Sequence, residues 1–401
     1  MGKWKHLGLA LLACELFLGG SLGYAGGKIA IDDTKWISVG AGLRGSFAAT
    51  EKSAPNGNDW SKDFNLDNGR IYINGQAHKY IKFELNTECI FCGNSDLAKF
   101  HLLDGIAKFE ITPWFNVWGG RLLVPAERQE LNGPFYSSTY DAFKTPFYPA
   151  DFSVKFGAGG AGVYERDHGV NIWGAAGPEG ALQYVFGVFA GLRSSSSSGP
   201  NRSDNPLYAG RIAYNFLSVE KNPGYYTSGT YYGTGGDILT LGVAAQGQQD
   251  GCGSRLHPGN FFGVSTDLIF EKPIEDVGVI TFNGEYKHFD AQFSKAAFTD
   301  GSGNFGMFDG DAFSVVGLYM LPQTVGIGKF QPYVRYTGIY ADHSSNRDEF
   351  EAGLNYIIDG HNARISLFYQ YGDLATKGLN YARDASGADV SAVKLGVQIQ
   401  I

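Results

Sequence analysis

Hydrophobic and polar residues alternate along most of this chain, and the pattern is clearest over its last thirteen residues, 389–401. The apolar positions there share one parity: Val393, Leu395, Val397, Ile399 and Ile401. Successive side chains of a β-strand point to opposite faces, so the segment predicts a strand with one apolar and one polar face. A tilted strand needs about this length to cross a bilayer.

The same alternation recurs upstream, in segments separated by turn-forming residues. Ile81, Phe83 and Leu85, for example, alternate with Lys82, Glu84 and Asn86. Period-two alternation over segments of this length indicates strands. We predict sixteen, at roughly 36–50, 66–78, 80–90, 99–112, 114–125, 161–175, 181–193, 206–217, 237–248, 261–273, 277–290, 311–321, 330–341, 347–358, 362–373 and 390–401.

The connections between these strands are mostly short at one end and long at the other. The longest, 127–160, is rich in aromatic residues, and we expect it to fold inward and bury them. Short turns at one end and long loops at the other are typical of a membrane barrel. The chain is therefore predicted to be all-β, a 16-stranded antiparallel transmembrane β-barrel with an inward-folded long loop. Segment 218–236 is a long connection at the end where the other connections are short, which indicates an unusual turn or an extra hairpin.

The N-terminus has the features of an export signal. Lys3 and Lys5 precede an apolar stretch, and Gly23, Tyr24 and Ala25 form a small-x-small cleavage site. We expect a signal peptide at 1–25 and a barrel domain at 26–401 in the outer membrane, with both termini periplasmic. Lipoprotein processing at Cys14 is a less favoured alternative. No later run of eighteen apolar residues predicts a transmembrane helix.

Composition and cysteine spacing narrow the range of functions. The 57 glycines, 23 tyrosines and 29 phenylalanines suit barrel strands and interfacial girdles, and the net charge of −8 argues against nucleic acid as a partner. Cys89 and Cys92 form a C-x-x-C pair, for which we expect a local disulfide or two thiols; a redox role is a minority alternative. The histidines have no metal-binding spacing, and no hydrolase motif occurs, so neither a cofactor nor an enzymatic activity is predicted.

Three stretches, 63–88, 114–128 and 325–336, resemble the phosphate-selective porin O and P family and the broader group of trimeric sixteen-stranded porins. The resemblance implies an outer-membrane channel, a homotrimer and small hydrophilic solutes or ions as cargo, with phosphate among them. The sequence departs from that family in the long loop, where Glu127, Arg128, Glu130, Asp141 and Lys144 mix both signs of charge. The loop therefore lacks the concentrated cationic ring that the resemblance would imply.

Parity assigns a set of charged side chains to the polar, inward face, where they could set the selectivity of a pore. The alternative is that most of them pair across strands and only satisfy the wall. Two further hypotheses are a barrel that scaffolds or sheathes a partner, such as a porin-cytochrome electron conduit, and a membrane-embedded hydrolase. The pore-lining candidates are Arg70, Lys82, Glu84, Lys108, Glu110, Arg121, Arg128, Arg211, Glu285, Lys287, Arg335 and Arg364. The parity of Arg121 is open, because Gly119 and Gly120 could form a bulge that shifts it.

Overall fold

Sixteen long strands make up most of the computed structural model of the chain. It describes residues 26–89, 92, 100–148, 165–291, 304–305, 308–379, 381 and 383–401. The predicted signal peptide at 1–25 lies outside the described residues. The strands are β1 Trp36–Thr50, β2 Asp63–His78, β3 Ile81–Cys89, β4 Phe100–Thr112, β5 Phe115–Leu123, β6 Arg166–Ala176, β7 Leu182–Phe189, β8 Leu207–Asn215, β9 Ile238–Ser254, β10 Pro258–Ile274, β11 Gly278–Asp290, β12 Gly310–Met320, β13 Gly328–Ala341, β14 Arg347–Asp359, β15 Ala363–Gly372 and β16 Val390–Gln400.

Each strand pairs antiparallel with the next, and β16 pairs with β1, so the sheet closes into a barrel. The predicted fold is confirmed, and each predicted strand overlaps an observed one. Three short strands add to the edges of this wall: Gly27–Ala30 on β1, Asn304–Phe305 on β9 and Thr324–Val325 on β13. The largest difference from the prediction is the hairpin of β9 and β10, whose strands run to Ser254 and Pro258 instead of ending in a long loop.

The alternation in the sequence places apolar side chains outside and polar side chains inside. On β16, Val393, Leu395, Val397 and Ile399 are 39–53% exposed on the outer surface, while Gln398 is fully buried. The same division holds on β3, where Leu85 is exposed and Glu84 is buried. Apolar side chains gain by facing lipid tails, and polar groups find partners only inside.

Leu395 offers a direct check on which face meets lipid. It lies near the middle of β16 and points outward. Leu395→Arg is expected to lower the free energy of unfolding from lipid vesicles by about 2–4 kcal/mol, because a cation is costly at the bilayer midplane. Ala392→Arg, on the opposite face of the same strand, is the control and should cost much less. Equal losses from both variants would contradict the assignment of faces.

The two ends of the barrel differ in their connections. At the end where β2 turns into β3, called the turn end below, most connections are short, such as 79–80 and 275–277. At the opposite loop end, the connections include 124–165 and 373–389. Segment 218–236 is the exception at the turn end. It contains no strand, so it is an unusual turn and not an additional hairpin.

Helical structure is minor in the part of the chain that the structure describes. Helix α1 is Arg128–Asn132, α2 is Leu374–Lys377, and Pro178–Gly180 forms a 3₁₀ turn. None of the helices in the described ranges has the length and apolar character to cross a membrane.

Candidate functional site

Residues 127–148, the described part of the predicted long loop, lie inside the barrel. Wall side chains donate hydrogen bonds to carbonyl oxygens along the loop. Arg364 Nη1 reaches Ser137 O at 2.7 Å, and Gln398 Nε2 reaches Phe135 O at 2.8 Å. These side chains belong to the inward face of the sheet, so the loop occupies the lumen. The rest of the predicted loop, 149–160, lies outside the described residues.

Aromatic rings of the loop pack against glycines of the wall. A methyl group built at Gly42 of β1 would lie 2.7 Å from the ring of Phe135, and one at Gly396 of β16 would lie 2.5 Å from the ring of Tyr140. Both positions face inward and leave room for a ring only because they lack a side chain. Phe135, Tyr140 and Tyr148 are each at most 1% exposed. The loop thus packs against the wall through specific contacts.

Ten of the predicted pore-lining residues lie on the inward face of the wall: Arg70, Lys82, Glu84, Lys108, Glu110, Arg211, Glu285, Lys287, Arg335 and Arg364. Arg128 is the first residue of helix α1, in the loop. Arg121 requires a correction. It pairs with Gly105 and His168, and the register runs through Gly119–Gly120 without a shift, so its parity is outward. Its Nε donates to Leu103 O at 2.9 Å.

Most of the inward-facing charges form ion pairs. Arg335 Nη2 lies 2.5 Å from Glu351 Oε2, and Lys287 Nζ lies 2.7 Å from Glu127 Oε1 and 2.9 Å from Glu130 Oε1 in the loop. Such pairs offset the cost of burying each charge but leave little net charge in the lumen. Further pairs are Arg70 with Glu88, Lys82 with Glu110, Lys108 with Glu84, and Arg211 with Asp267.

Arg128 is the centre of the most heavily paired cluster. Its guanidinium donates to both carboxylate oxygens of Glu220 at 2.7 Å and to Ser228 O at 2.9 Å. Its Nε lies 3.3 Å from Asp267 Oδ1 on β10. The side chains of Arg128, Glu220 and Asp267 are at most 4% exposed. This cluster joins the loop, segment 218–236 and the wall.

Two inward-facing arginines contact the loop without a carboxylate partner among the described residues. They are Arg44 on β1 and Arg364 on β15, and Gln398 of β16 pairs with both in the ladder. Arg44 donates to Tyr140 O, and Arg364 donates to Gln398 Oε1 at 3.1 Å. These two guanidinium groups therefore bring positive charge to the part of the inward face that holds the loop. Arg44 was not among the predicted residues, although alternation along β1 gives it the inward parity.

A second cluster lies nearer the loop end. Lys394 Nζ of β16 is 2.8 Å from Asp141 Oδ1, and Lys144 Nζ is 2.8 Å from Glu349 Oε1 and 3.6 Å from Asp141 Oδ2. Burial alone would raise the pKa of Asp141, but Lys394 and Lys144 outweigh it and hold that pKa below its usual range. Asp141 stays ionised and ties the loop to Lys394 of the wall, while Lys144 ties the same part of the loop to Glu349. Sequence analysis named Asp141 only as one of the loop charges of mixed sign and predicted neither of these contacts.

A small cavity lies between the loop and strands β10 to β13. This cavity, of about 30 Å³, has Arg128, Lys144, Glu285 and Arg335 among its lining residues. Thr145 Oγ1 of the loop donates to Glu285 Oε1 at 2.6 Å. Such a volume holds about one or two water molecules. Residues of the loop therefore approach the wall closely at this level.

The cysteines and acidic clusters lie elsewhere. Cys89 and Cys92 form a disulfide at the end of β3, and Cys252 is a buried free thiol on β9. Carboxylate oxygens of Asp348, Asp373 and Asp389 lie within 4.8 Å of one another at the loop end. Asp373 is already paired with Lys377, and tyrosine hydroxyls donate to the other two carboxylates, so we assign no metal there.

The sequence matches no protein-family model and no curated protein. Solved structures do resemble it. An anion-selective porin from Comamonas acidovorans has a TM-score of 0.57 at 14% identity, covering 92% of this chain and all of that one. OmpF of Salmonella typhi, in a complex with daunomycin, has a TM-score of 0.58 at 10% identity, covering 93% of this chain and all of that one. The outer-membrane channel DcaP of Acinetobacter baumannii has a TM-score of 0.54 at 12% identity, covering 94% of this chain and all of that one. The chain therefore has the fold of outer-membrane porins.

Proposed function

We propose that this protein is an outer-membrane porin of a Gram-negative cell, a water-filled channel for passive diffusion of small hydrophilic solutes. The observation that carries the proposal is the polar inward face, which is narrowed by residues 127–148 and bordered by charged side chains. A wet lumen with a charged constriction selects solutes by size and charge. Such a channel performs no covalent chemistry, and we propose no enzymatic activity. A homotrimer with periplasmic termini is part of the same proposal.

We propose a preference for small anions, with phosphate as one candidate. The support is the pair Arg44 and Arg364, whose charge has no carboxylate partner among the described residues. Local charge at a constriction outweighs the net charge of −8, because charges farther than about 10 Å away are screened in ordinary salt. The anion-selective porin among the structural neighbours is in keeping with this assignment.

The scaffold hypothesis receives less support. A sheath for a cytochrome needs an open lumen, whereas residues 127–148 and 218–236 of this chain occupy much of it. Cys89 and Cys92 are joined to each other, which removes them as a free thiol pair.

Reversal potentials in a salt gradient test the anion preference. Wild-type channels in planar bilayers should favour anions, and the double variant Arg44→Gln/Arg364→Gln should shift the reversal potential toward cation selectivity, because two lumen charges are lost. Arg202→Gln removes an exposed charge from an external loop and should leave the potential unchanged. Cation selectivity in the wild type, or an unchanged potential in the double variant, would contradict the proposal.

A further inference from the structure

Segment 218–236, called the insert, connects β8 to β9 at the turn end and folds back into the barrel. It contains four tyrosines, and Tyr225 and Tyr231 are at most 7% exposed. Ser228 and Thr230 between them are also buried. Burial of side chains along much of its length shows that the insert packs inside the wall, unlike an ordinary surface turn.

One side of the insert packs on the wall at β5. The ring of Tyr225 lies 5.4 Å from that of Trp118, and the ring of Tyr226 lies 5.5 Å from it. Tyr225 Oη donates to Leu123 O at 2.6 Å. Gly224 has a φ of +59°, and a methyl group there would lie 2.3 Å from the Trp118 ring. Both the backbone conformation and the close approach therefore require glycine at this position.

The other side of the insert is held by Glu271 on β10. This carboxylate is fully buried and accepts hydrogen bonds from Thr230 Oγ1 at 2.7 Å, Tyr231 N at 3.0 Å and Gly233 N at 2.8 Å. Thr281 Oγ1 of β11 also donates to it, at 2.9 Å. Donors from the insert thus satisfy the oxygens of a buried carboxylate on the wall, which ties the position of the insert to Glu271.

The insert also contacts the loop in the middle of the lumen. Gly229 N donates to Tyr136 O at 2.9 Å, and a methyl group on Gly229 would lie 2.5 Å from Ser138 N. The ion pair of Arg128 with Glu220 adds a second link between the two segments. The insert therefore reaches from β5 to β10 and meets the loop between them.

From these contacts we infer that the insert is a second constriction element, which sets the size limit of the channel together with the loop, and that Glu271 is the positioning residue that holds it in the lumen. The inference rests on the proposed channel function. A solute that enters from the loop end meets residues 127–148 first and the insert second. The inferred cargo class is small hydrophilic solutes, since both elements fill space that a larger solute would need.

The insert can be deleted at a point where β8 and β9 are still paired with each other. Ser218 N donates to Asp237 O at 2.9 Å, so the two strands still pair at the base of the insert. An Asn-Gly pair in place of residues 219–236 closes such a hairpin with a type I′ turn. In planar bilayers, this variant should show a single-channel conductance at least about twofold higher, because a wider lumen conducts better. In proteoliposome swelling, it should admit larger sugars than the wild type does.

Glu271→Gln tests the positioning role in the full-length chain. The substitution replaces one carboxylate oxygen with an amide NH2 group, which cannot accept hydrogen bonds from the donors of the insert. The loss of these hydrogen bonds should release the insert from the wall. In a Cys252→Ala background, the labelling rate of Ser228→Cys by a thiol reagent should rise at least about tenfold, as expected for local opening. Glu351→Gln removes an equally buried wall carboxylate that contacts Arg335 instead of the insert, and it should leave the labelling rate unchanged.

The outcomes separate the two proposals. No current from either the wild type or the deletion variant would contradict the channel function itself. Current from both, with equal conductance and equal size limit, would contradict only the second constriction. If the deletion variant does not fold, Glu271→Gln decides: faster labelling with higher conductance supports the inference, and faster labelling with unchanged conductance overturns it. Labelling that stays slow in Glu271→Gln would overturn the positioning role of that residue.

Discussion

Replacing residues 133–145 with a short Gly/Ser linker is expected to raise the single-channel conductance at least about twofold, since conductance rises with the cross-section of the aqueous path. The replaced segment contributes Phe135 and Tyr140, the rings that fill the space beside Gly42 and Gly396. The replacement also removes the carbonyl groups of the loop to which Arg44 and Arg364 donate hydrogen bonds. Planar-bilayer recordings at fixed salt and voltage measure the effect.

Gly396→Val is the matched point variant, because its side chain would occupy the position of the Tyr140 ring without shortening the loop. Gly396→Val should also raise the conductance, but by less than the linker variant does. Gly317→Val is the control, since a methyl group at Gly317 meets nothing within 4 Å. Unchanged conductance in the linker variant would contradict a constricting role for the loop.

Arg128→Ala is expected to give the largest loss of stability. Truncation leaves the carboxylates of Glu220 and Asp267 in a buried site without this guanidinium, and breaking a buried pair in this way costs about 3–5 kcal/mol. Denaturant unfolding in lipid vesicles measures the change in the free energy of unfolding. Arg128→Lys retains the charge but loses the two-pronged contact with Glu220, so an intermediate loss is expected.

The control for this series is Lys82→Ala. Lys82 pairs with Glu110, but the two side chains are 30% and 20% exposed, and a solvated pair of this kind contributes at most about 1 kcal/mol. Losses of similar size from Arg128→Ala and Lys82→Ala would show that the Arg128 cluster is not the main link between the loop, the insert and the wall.

The barrel itself could be predicted because the alternation of apolar and polar residues runs along each strand of the sequence. Alternation with period two fixes both the strand and the face of each side chain, and the asymmetry of the connections fixes how the strands close. The long loop could be assigned to the lumen because its aromatic residues need burial. Where the signal was weak, the prediction failed. Arg121 follows two glycines that suggested a shift in parity, and the continuous register removes that shift.

Partners inside the lumen could not be predicted in the same way. Arg128 and Glu220 are 92 residues apart, and Arg364 and Ser137 are 227 apart. Alternation says that such side chains face inward, but not which of them meet. The insert was recognised by its length alone, because its contacts depend on the shape of the space left by the loop. Gly42 and Gly396 are the positions where docking of the loop could have been predicted. Each is an inward-facing position without a side chain, against which an aromatic ring can pack.

The docking of the loop has a consequence for how the barrel is held closed. Strands β1 and β16 are the first and last strands along the chain, so their junction is the seam that closes the cylinder. Phe135 packs at Gly42 on one side of this seam, and Tyr140 packs at Gly396 on the other. The loop therefore bridges the two strands whose pairing closes the barrel, across the largest separation in sequence. In the closed barrel it adds side-chain packing on both sides of a seam that is otherwise held by backbone pairing.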